Sequence, residues 1–162
     1  MALEIERKFL VEGDSYKAVA FGHSHIAQGY IASGSGRTVR VRIRDDRGYL
    51  TIKGPSADGG LSRYEFEKEI TLDEARDLMR ICEPGIVEKT RWLVRADDGH
   101  TIEVDEFAGD NEGLVMAEVE LRTPDEPIVL PPFIGREVTG DRRFYNAHMR
   151  RYPFKLWRDQ LP

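Results

Sequence analysis

The chain predicts a mainly β (α+β) fold: an eight-stranded antiparallel sheet closed into a barrel, flanked by a few helices. Three observations carry this. Alternation with a period of two runs through most of the 162 residues. The alternating segments are joined mostly by short turns rich in Gly, Asp and Pro. Charged residues occupy one side of strand after strand, sorted by sign.

The elements follow in order. Leu3 to Val11 alternates and ends at Glu12-Gly13-Asp14. Ser15 to Phe21 suits a short helix. His25 to Ala32 reads as a strand closed by Ser33-Gly34-Ser35-Gly36, with His23 and His25 in the loop before it. Arg37 to Arg44 is strongly periodic, Asp45-Asp46-Arg47-Gly48 makes a hairpin turn, and Tyr49 to Lys53 pairs back. Gly54 to Gly60 is a loop and Leu61 to Ile70 the next strand. A helix follows, with Thr71 as N-cap and Glu74 at capping-box spacing; Leu72, Ala75, Leu78, Met79 and Cys82 form its apolar face, and Pro84-Gly85 ends it. Ile86 to Ala96 and His100 to Phe107 flank the turn Asp97-Asp98-Gly99, and Gly113 to Thr123 is the last strand. Pro124 to Gly140 is a Pro-rich connection, Asp141 to Arg150 a terminal helix, and Tyr152 to Leu161 an apolar-tipped tail.

Composition limits the function classes. The length suits one domain, 1–162, with one core. A formal net charge of -5, from 24 basic and 29 acidic residues, argues against bulk nucleic-acid binding. The single Cys82 rules out an internal disulfide and reads as a core residue. No apolar run approaches the ~18 residues of a membrane span. The opening Met-Ala-Leu-Glu-Ile-Glu has acids where a secretory signal needs an apolar stretch. The expectation is a cytoplasmic protein with neither nucleic acid nor membrane as partner.

The charges carry the functional reading. Residues two apart in a strand share a side. Glu4, Glu6 and Lys8 share one, with Ile5 opposite. Arg40, Arg42 and Arg44 oppose Val39, Val41 and Ile43; Thr51 and Lys53 oppose Leu50 and Ile52. Glu65, Glu67 and Glu69 alternate with Phe66, Lys68 and Ile70; Lys89 and Arg91 oppose Trp92. Glu103 and Asp105 oppose Ile102, Val104 and Glu106; Glu118 and Glu120 oppose Val119 and Leu121. A water-facing sheet accounts for a lone Glu-Ile-Glu, but it gains nothing from sorting charge strand by strand. Surface ion pairs contribute well under ~1 kcal/mol each. Arginines at consecutive same-side positions lie about 6.6 Å apart and repel unless anions or carboxylates lie among them. Guanidinium groups suit phosphate oxygens, and clustered carboxylates suit Mg²⁺ or Mn²⁺. A basic wall, an acidic wall and a divalent cation between them are the parts of phosphoryl transfer. The apolar strand faces then point outward and need cover from the helix near 72–83, the Pro-rich segment and the tail, including Trp157.

The segment Glu4-Ile-Glu6-Arg-Lys8 resembles the E-x-E-x-K signature of the CYTH superfamily, the triphosphate tunnel metalloenzymes. Arg40-Val-Arg42-Ile-Arg44, Thr51-Ile-Lys53, Glu65-Phe-Glu67, Glu88-Lys89-Thr-Arg91, Glu103-Val-Asp105 and Glu118-Val-Glu120 follow in order. Gln28-Gly29-Tyr30, Gly60-Leu61-Ser62-Arg63 and Glu137-Val138-Thr139 extend the likeness to the short bacterial members acting on inorganic tripolyphosphate. The resemblance implies a tunnel with a polar lumen whose mouth near Phe144 to Arg150 is closed. It implies a small-molecule polyphosphate substrate held by Lys8, Arg40, Arg42, Arg44, Lys53, Lys89 and Arg91, with Arg44 nearer the rim. It implies Mg²⁺ or Mn²⁺ among Glu4, Glu6, Glu65, Glu67, Asp105, Glu118 and Glu120, with Glu118 and Glu120 foremost. Glu4 and Glu6 serve a second metal or orient the attacking water. Lys8 and Lys89 are candidates for proton handling, with simple phosphate binding as the competing role. Tyr30 stands either near the attacked phosphorus or as packing at a strand end. Thiamine triphosphatase, nucleoside triphosphatase, class IV adenylate cyclase and non-catalytic polyphosphate binding are the alternatives. Monomer and homodimer are both compatible.

Overall fold

The computed structural model describes residues 2–161. Its strands are β1 (Leu3–Val11), β2 (Ala20–Gly34), β3 (Arg37–Arg44), β4 (Arg47–Ala57), β5 (Ser62–Ile70), β6 (Val87–Arg95), β7 (Thr101–Phe107), β8 (Val115–Leu121) and β9 (Ile134–Glu137). The helices are α1 (Tyr16–Val19), α2 (Leu72–Arg80) and α3 (Asn146–Met149). The sheet runs β5-β4-β3-β2-β6-β7-β8-β1-β9, and β1 also pairs with β5, so β1 to β8 form a closed antiparallel ring. One edge of β1 takes β8 from Ile5 to Leu10. The other is shared: Leu3 to Ile5 close the barrel against Tyr64 to Ser62, and Phe9 and Val11 pair with β9.

The apolar faces point outward and most of their area is covered, while Leu3, Ile52, Tyr64 and Phe66 stay exposed on the wall of β1, β5 and β4. Ile5, Phe9, Val94, Ile102, Val104, Val119 and Leu121 form one buried cluster with Tyr16 and Phe133. These last two come from α1 and from the segment after β8. On the opposite wall α2 packs across β2, β3 and β4. Thr71 and Glu74 form the expected capping box. The helix lies very close to the sheet: a Cβ at Gly48 would meet the Ala75 methyl at 2.6 Å, and one at Gly29 would meet the Cys82 sulfur at 2.8 Å. Cys82 is half-buried there rather than fully in the core.

A second cluster closes one barrel end. Leu10, Val87, Phe107 and Met116 share sides with Lys8, Lys89, Asp105 and Glu118, so they point inward. They pack with Leu114 and Val138 against Phe144, Met149, Phe154 and Trp157. The Trp157 ring meets Phe144 and Phe154 edge to face at 5.3 and 5.0 Å. Trp157 therefore plugs the barrel instead of covering its outer wall. The lumen is apolar for one layer and charged beyond it.

Several boundaries differ from expectation. β2 starts at Ala20, placing His23 and His25 in a strand and shortening α1; His23 stacks on Trp92 across the β2–β6 pair at 4.8 Å. β4 runs on to Ala57 through Gly54-Pro55, where the register shifts between Lys53 and Ser56. Pro can sit in such an irregularity, which asks no ladder donor of it. The Pro-rich connection contains β9. The expected helix 141–150 splits into a 3₁₀ turn, Arg142–Phe144, and α3, because Tyr145 is extended (φ -79, ψ 127). Among the described residues no helix is long and apolar enough to cross a membrane.

Candidate active site

The barrel encloses a cavity of about 910 Å³ lined by Glu4, Glu6, Lys8, Tyr30, Arg40, Arg42, Arg44, Lys53, Glu65, Glu67, Lys89, Arg91, Glu103, Glu118 and Glu120. Seven strands thus deliver charged side chains to one space, and β2 adds Tyr30. Every expected site residue lines it except Asp105.

The cationic wall is deep. Lys89, Arg40 and Arg91 are 2%, 7% and 9% exposed. Arg91 donates to both oxygens of fully buried Asp105 (2.8 and 2.9 Å) and to Glu103 (2.8 Å), and it lies 3.7 Å from Glu118. Lys89 Nζ lies 2.7 Å from Asp105 Oδ2 and donates to Asn146 Oδ1 at 2.8 Å. Arg42 has only neutral acceptance: its Nε and Nη2 donate to Gln28 Oε1 at 3.1 and 2.9 Å. Burial, then Arg40 and Arg91 beside it, pushes the Arg42 guanidinium down to about 9. Arg40 Nη2 donates to Thr51 at 3.2 Å, while its buried Nε finds no partner. Burial pushes Lys89 down to about 8, Asp105 opposing and Arg91 and Arg42 reinforcing the fall. Arg40 is buried and Arg42 half-buried, with Glu67, 3.7 Å from Arg40, as the nearby counter-charge, the electrostatic condition of an anion site.

The acidic wall has the complementary imbalance. Lys53 lies 2.7 Å from Glu4 and 3.2 Å from Glu65. Lys8 lies 3.6 Å from both Glu6 and Glu118. Burial and then Glu118 push Glu6 up to about 7. Burial also raises Glu4, Glu103 and Glu120. For Glu118 burial is outweighed by Lys8, Arg91 and Lys89, which hold it far below the usual range. Glu67 accepts from Thr51 at 2.9 Å and lies 3.7 Å from Arg40.

Two expected residues sit differently. Asp105, expected among the metal donors, lies beneath the lumen surface, with both oxygens taken by Arg91 and one also by Lys89. Lys8, a candidate for proton handling, keeps its proton affinity. Burial alone would lower it, but Glu118, Glu6 and Glu4 around it raise it well above the ordinary lysine value. Of the two lysines, only Lys89 is lowered. Arg44 sits at the rim, over the Tyr49 ring at 5.0 Å. Tyr30 is 4% exposed and accepts from Gln28 Nε2 at 3.0 Å.

The hard oxygen donors Glu4, Glu6, Glu118 and Glu120 fit a divalent cation in kind, and Glu4, Glu6 and Glu120 are raised because their burial outweighs what Lys53 and Lys8 offset. Glu6 opposes Glu120 across the β1–β8 pair. Among the described residues no three Asp, Glu, His or Cys side chains already converge as a ready metal cluster. The lysines hold the carboxylates instead.

Residue alternation alone missed four contributors. Gln28 and Arg63 are uncharged or isolated in sequence, although each falls on an inward position. Arg63 lines the cavity and donates to the Gly54 and Gly36 carbonyls. Tyr145 and Asn146 arrive from the C-terminal segment, with Lys8 Nζ over the Tyr145 ring at 5.2 Å. Glu137-Val138-Thr139 proves structural: Glu137 holds Arg7, Val138 joins the plug, and Thr139 Oγ1 accepts from the Lys8 backbone at 2.9 Å.

Known proteins agree with this geometry. The CYTH domain family matches residues 2–145. An inorganic triphosphatase of Acetivibrio thermocellus is 48% identical over 162 residues, covering 98% of this chain and 100% of that protein. An inorganic triphosphatase of Nitrosomonas europaea is 36% identical over 149 residues, covering 88% and 93%. A crystal structure of an inorganic triphosphatase superposes with a TM-score of 0.63 at 31% identity, covering 93% of this chain and 95% of that one. A closed eight-stranded barrel with its charges turned inward, and a family match over nearly its whole length, make this chain a member of the CYTH family.

Proposed function

We propose that the chain hydrolyses inorganic tripolyphosphate to pyrophosphate and orthophosphate with Mg²⁺ or Mn²⁺ as cofactor. The observation that carries this is the Arg40–Arg42 row, buried at Arg40 and half-buried at Arg42, with an unpartnered Arg40 Nε and only a neutral partner for Arg42. Bare polyphosphate supplies the missing charge along its length. The names of the two relatives support the same substrate.

Arg40, Arg42, Lys53, Lys89 and Arg91 bind and orient the chain, offering fixed donors to its oxygens. Lys8, held protonated, is a phosphate-binding cation in this reading. Glu4, Glu6, Glu118 and Glu120 would hold the cation, with Glu65 and Glu67 beside them. A bound divalent cation supplies charge neutralisation at the transferring phosphoryl group. Glu6 would either join in holding the cation or orient the attacking water; in the metal-free protein burial and Glu118 raise it to about 7. The water oxygen forms the new P–O bond, a P–O–P bond breaks, and pyrophosphate leaves against Lys89 and Arg40.

The test is product analysis by phosphorus NMR with tripolyphosphate, ATP and thiamine triphosphate under each metal. Tripolyphosphate should give pyrophosphate and phosphate fastest. Intact tripolyphosphate under both metals would remove the proposal, and tight binding without turnover would indicate a binder. Cyclic AMP as the main product from ATP would make the chain a cyclase.

A further inference from the structure

The catalytic reading leaves unused a buried polar network between the barrel and its plug. Gln28 is fully buried and Asn146 is 9% exposed. Gln28 Nε2 lies 3.3 Å from Asn146 Oδ1, and Lys89 Nζ donates to that same oxygen. Donor-only partners fix both amides. Arg42 cannot accept, so the Gln28 oxygen faces it and its NH₂ faces Tyr30 and Asn146. Lys89 cannot accept either, so Asn146 turns its oxygen toward Lys89 and Gln28. A flipped Asn146 would set its NH₂ against an ammonium and another NH₂.

That orientation leaves Asn146 Nδ2. The residue lines the cavity, and among the described residues no protein acceptor takes a hydrogen bond from this nitrogen. It enters from α3, one residue beyond the family match. We propose that Asn146 is a substrate-binding residue, its Nδ2 donating to a phosphate oxygen of the bound chain while its Oδ1 holds Lys89 in position. Through it the closed end of the barrel contributes a ligand contact as well as a seal. An amide suits both tasks. It accepts from Lys89 without neutralising it, as a carboxylate would, and it still offers a donor to the anion.

This rests on the tripolyphosphate reading, and the experiment separates the two. Tripolyphosphate binding by calorimetry and steady-state kinetics would be measured for wild type, Asn146→Ala, Asn146→Asp and Met149→Ala. Asn146→Ala should raise Kd and KM roughly tenfold or more, the size of one lost charge-assisted hydrogen bond, with a smaller change in kcat. Asn146→Asp keeps the shape but faces the phosphate with a carboxylate, so it should bind more weakly still. Met149→Ala, which opens the fully buried plug without touching the cavity, should lower the melting temperature and leave KM unchanged. Unchanged KM in Asn146→Ala, or an equal rise in Met149→Ala, would overturn the inference while the hydrolase reading stands. If wild type neither binds nor cleaves tripolyphosphate, both fall together.

Discussion

Asp105 is fully buried and binds two cations, Arg91 and Lys89, which in turn face the cavity. Removing one member of such a cluster leaves charge unpaired in the interior, which typically costs about 3–5 kcal/mol. Asp105→Ala is therefore expected to lose that order of stability in a denaturant titration; a loss under about 1 kcal/mol would deny Asp105 this role. Lys89 supplies a pH signature. Burial lowers it to about 8 from an ordinary 10.5. Between those values the unfolded chain binds more protons than the folded one, so this group's contribution to stability rises with pH across that window. Tripolyphosphate affinity should fall as pH rises through about 8, because the folded protein loses this cation. Calorimetry across pH 7 to 9.5 would detect the trend, and a flat profile would contradict it. At the acidic wall, Glu120→Gln should abolish metal-dependent turnover while tripolyphosphate binding persists, since the cations remain.

The strands make the lumen, and the C-terminal segment makes its floor. Trp157 is 1% exposed, and its truncation leaves a large void. Trp157→Ala is expected to cost about 3–5 kcal/mol, visible as a lower melting temperature. The rows of β1, β3, β6, β7 and β8 were legible in the sequence because alternation at a period of two survives any local propensity. The floor was not. Its apolar residues lie in turns too short to show a period, and Tyr145 breaks the one helical pattern. Leu10, Phe107 and Met116 point inward by the same parity as the charges, and that parity was the available signal for a plug. β9 was hidden among prolines, and the early start of β2 was hidden because Phe21 to Ser24 carry no clear alternation.

At the scale of the whole barrel, closure depends on a short seam. β1 meets β5 through Leu3–Tyr64, Glu4–Arg63 and Ile5–Ser62, extended by hydrogen bonds from the Glu65 amide to the Ala2 carbonyl and from the Glu6 amide to the Leu61 carbonyl, while β1 and β8 pair from Ile5 to Leu10. Amides along the β1–β5 seam should exchange with solvent faster than those along β1–β8. Hydrogen exchange read residue by residue would show it, and equal protection would mean that the seam opens only with the whole fold. The closed form was legible because charge sorted by sign from strand to strand gains nothing on a water-facing sheet, which points to charges that share one enclosed space. What the sequence could not disclose is the partnering inside: Asp105 belongs to the cations, Lys8 to the carboxylates, and Arg42 to a neutral glutamine. Those assignments depend on register and stagger around the ring.

The central claim is that the inward cations form one site for a phosphate chain. Calorimetric titration of tripolyphosphate into the protein with divalent metal chelated tests it most directly. Saturable one-to-one binding, weakened at least about tenfold by Arg42→Ala, is the predicted result. No binding, or undiminished binding in Arg42→Ala, would contradict it.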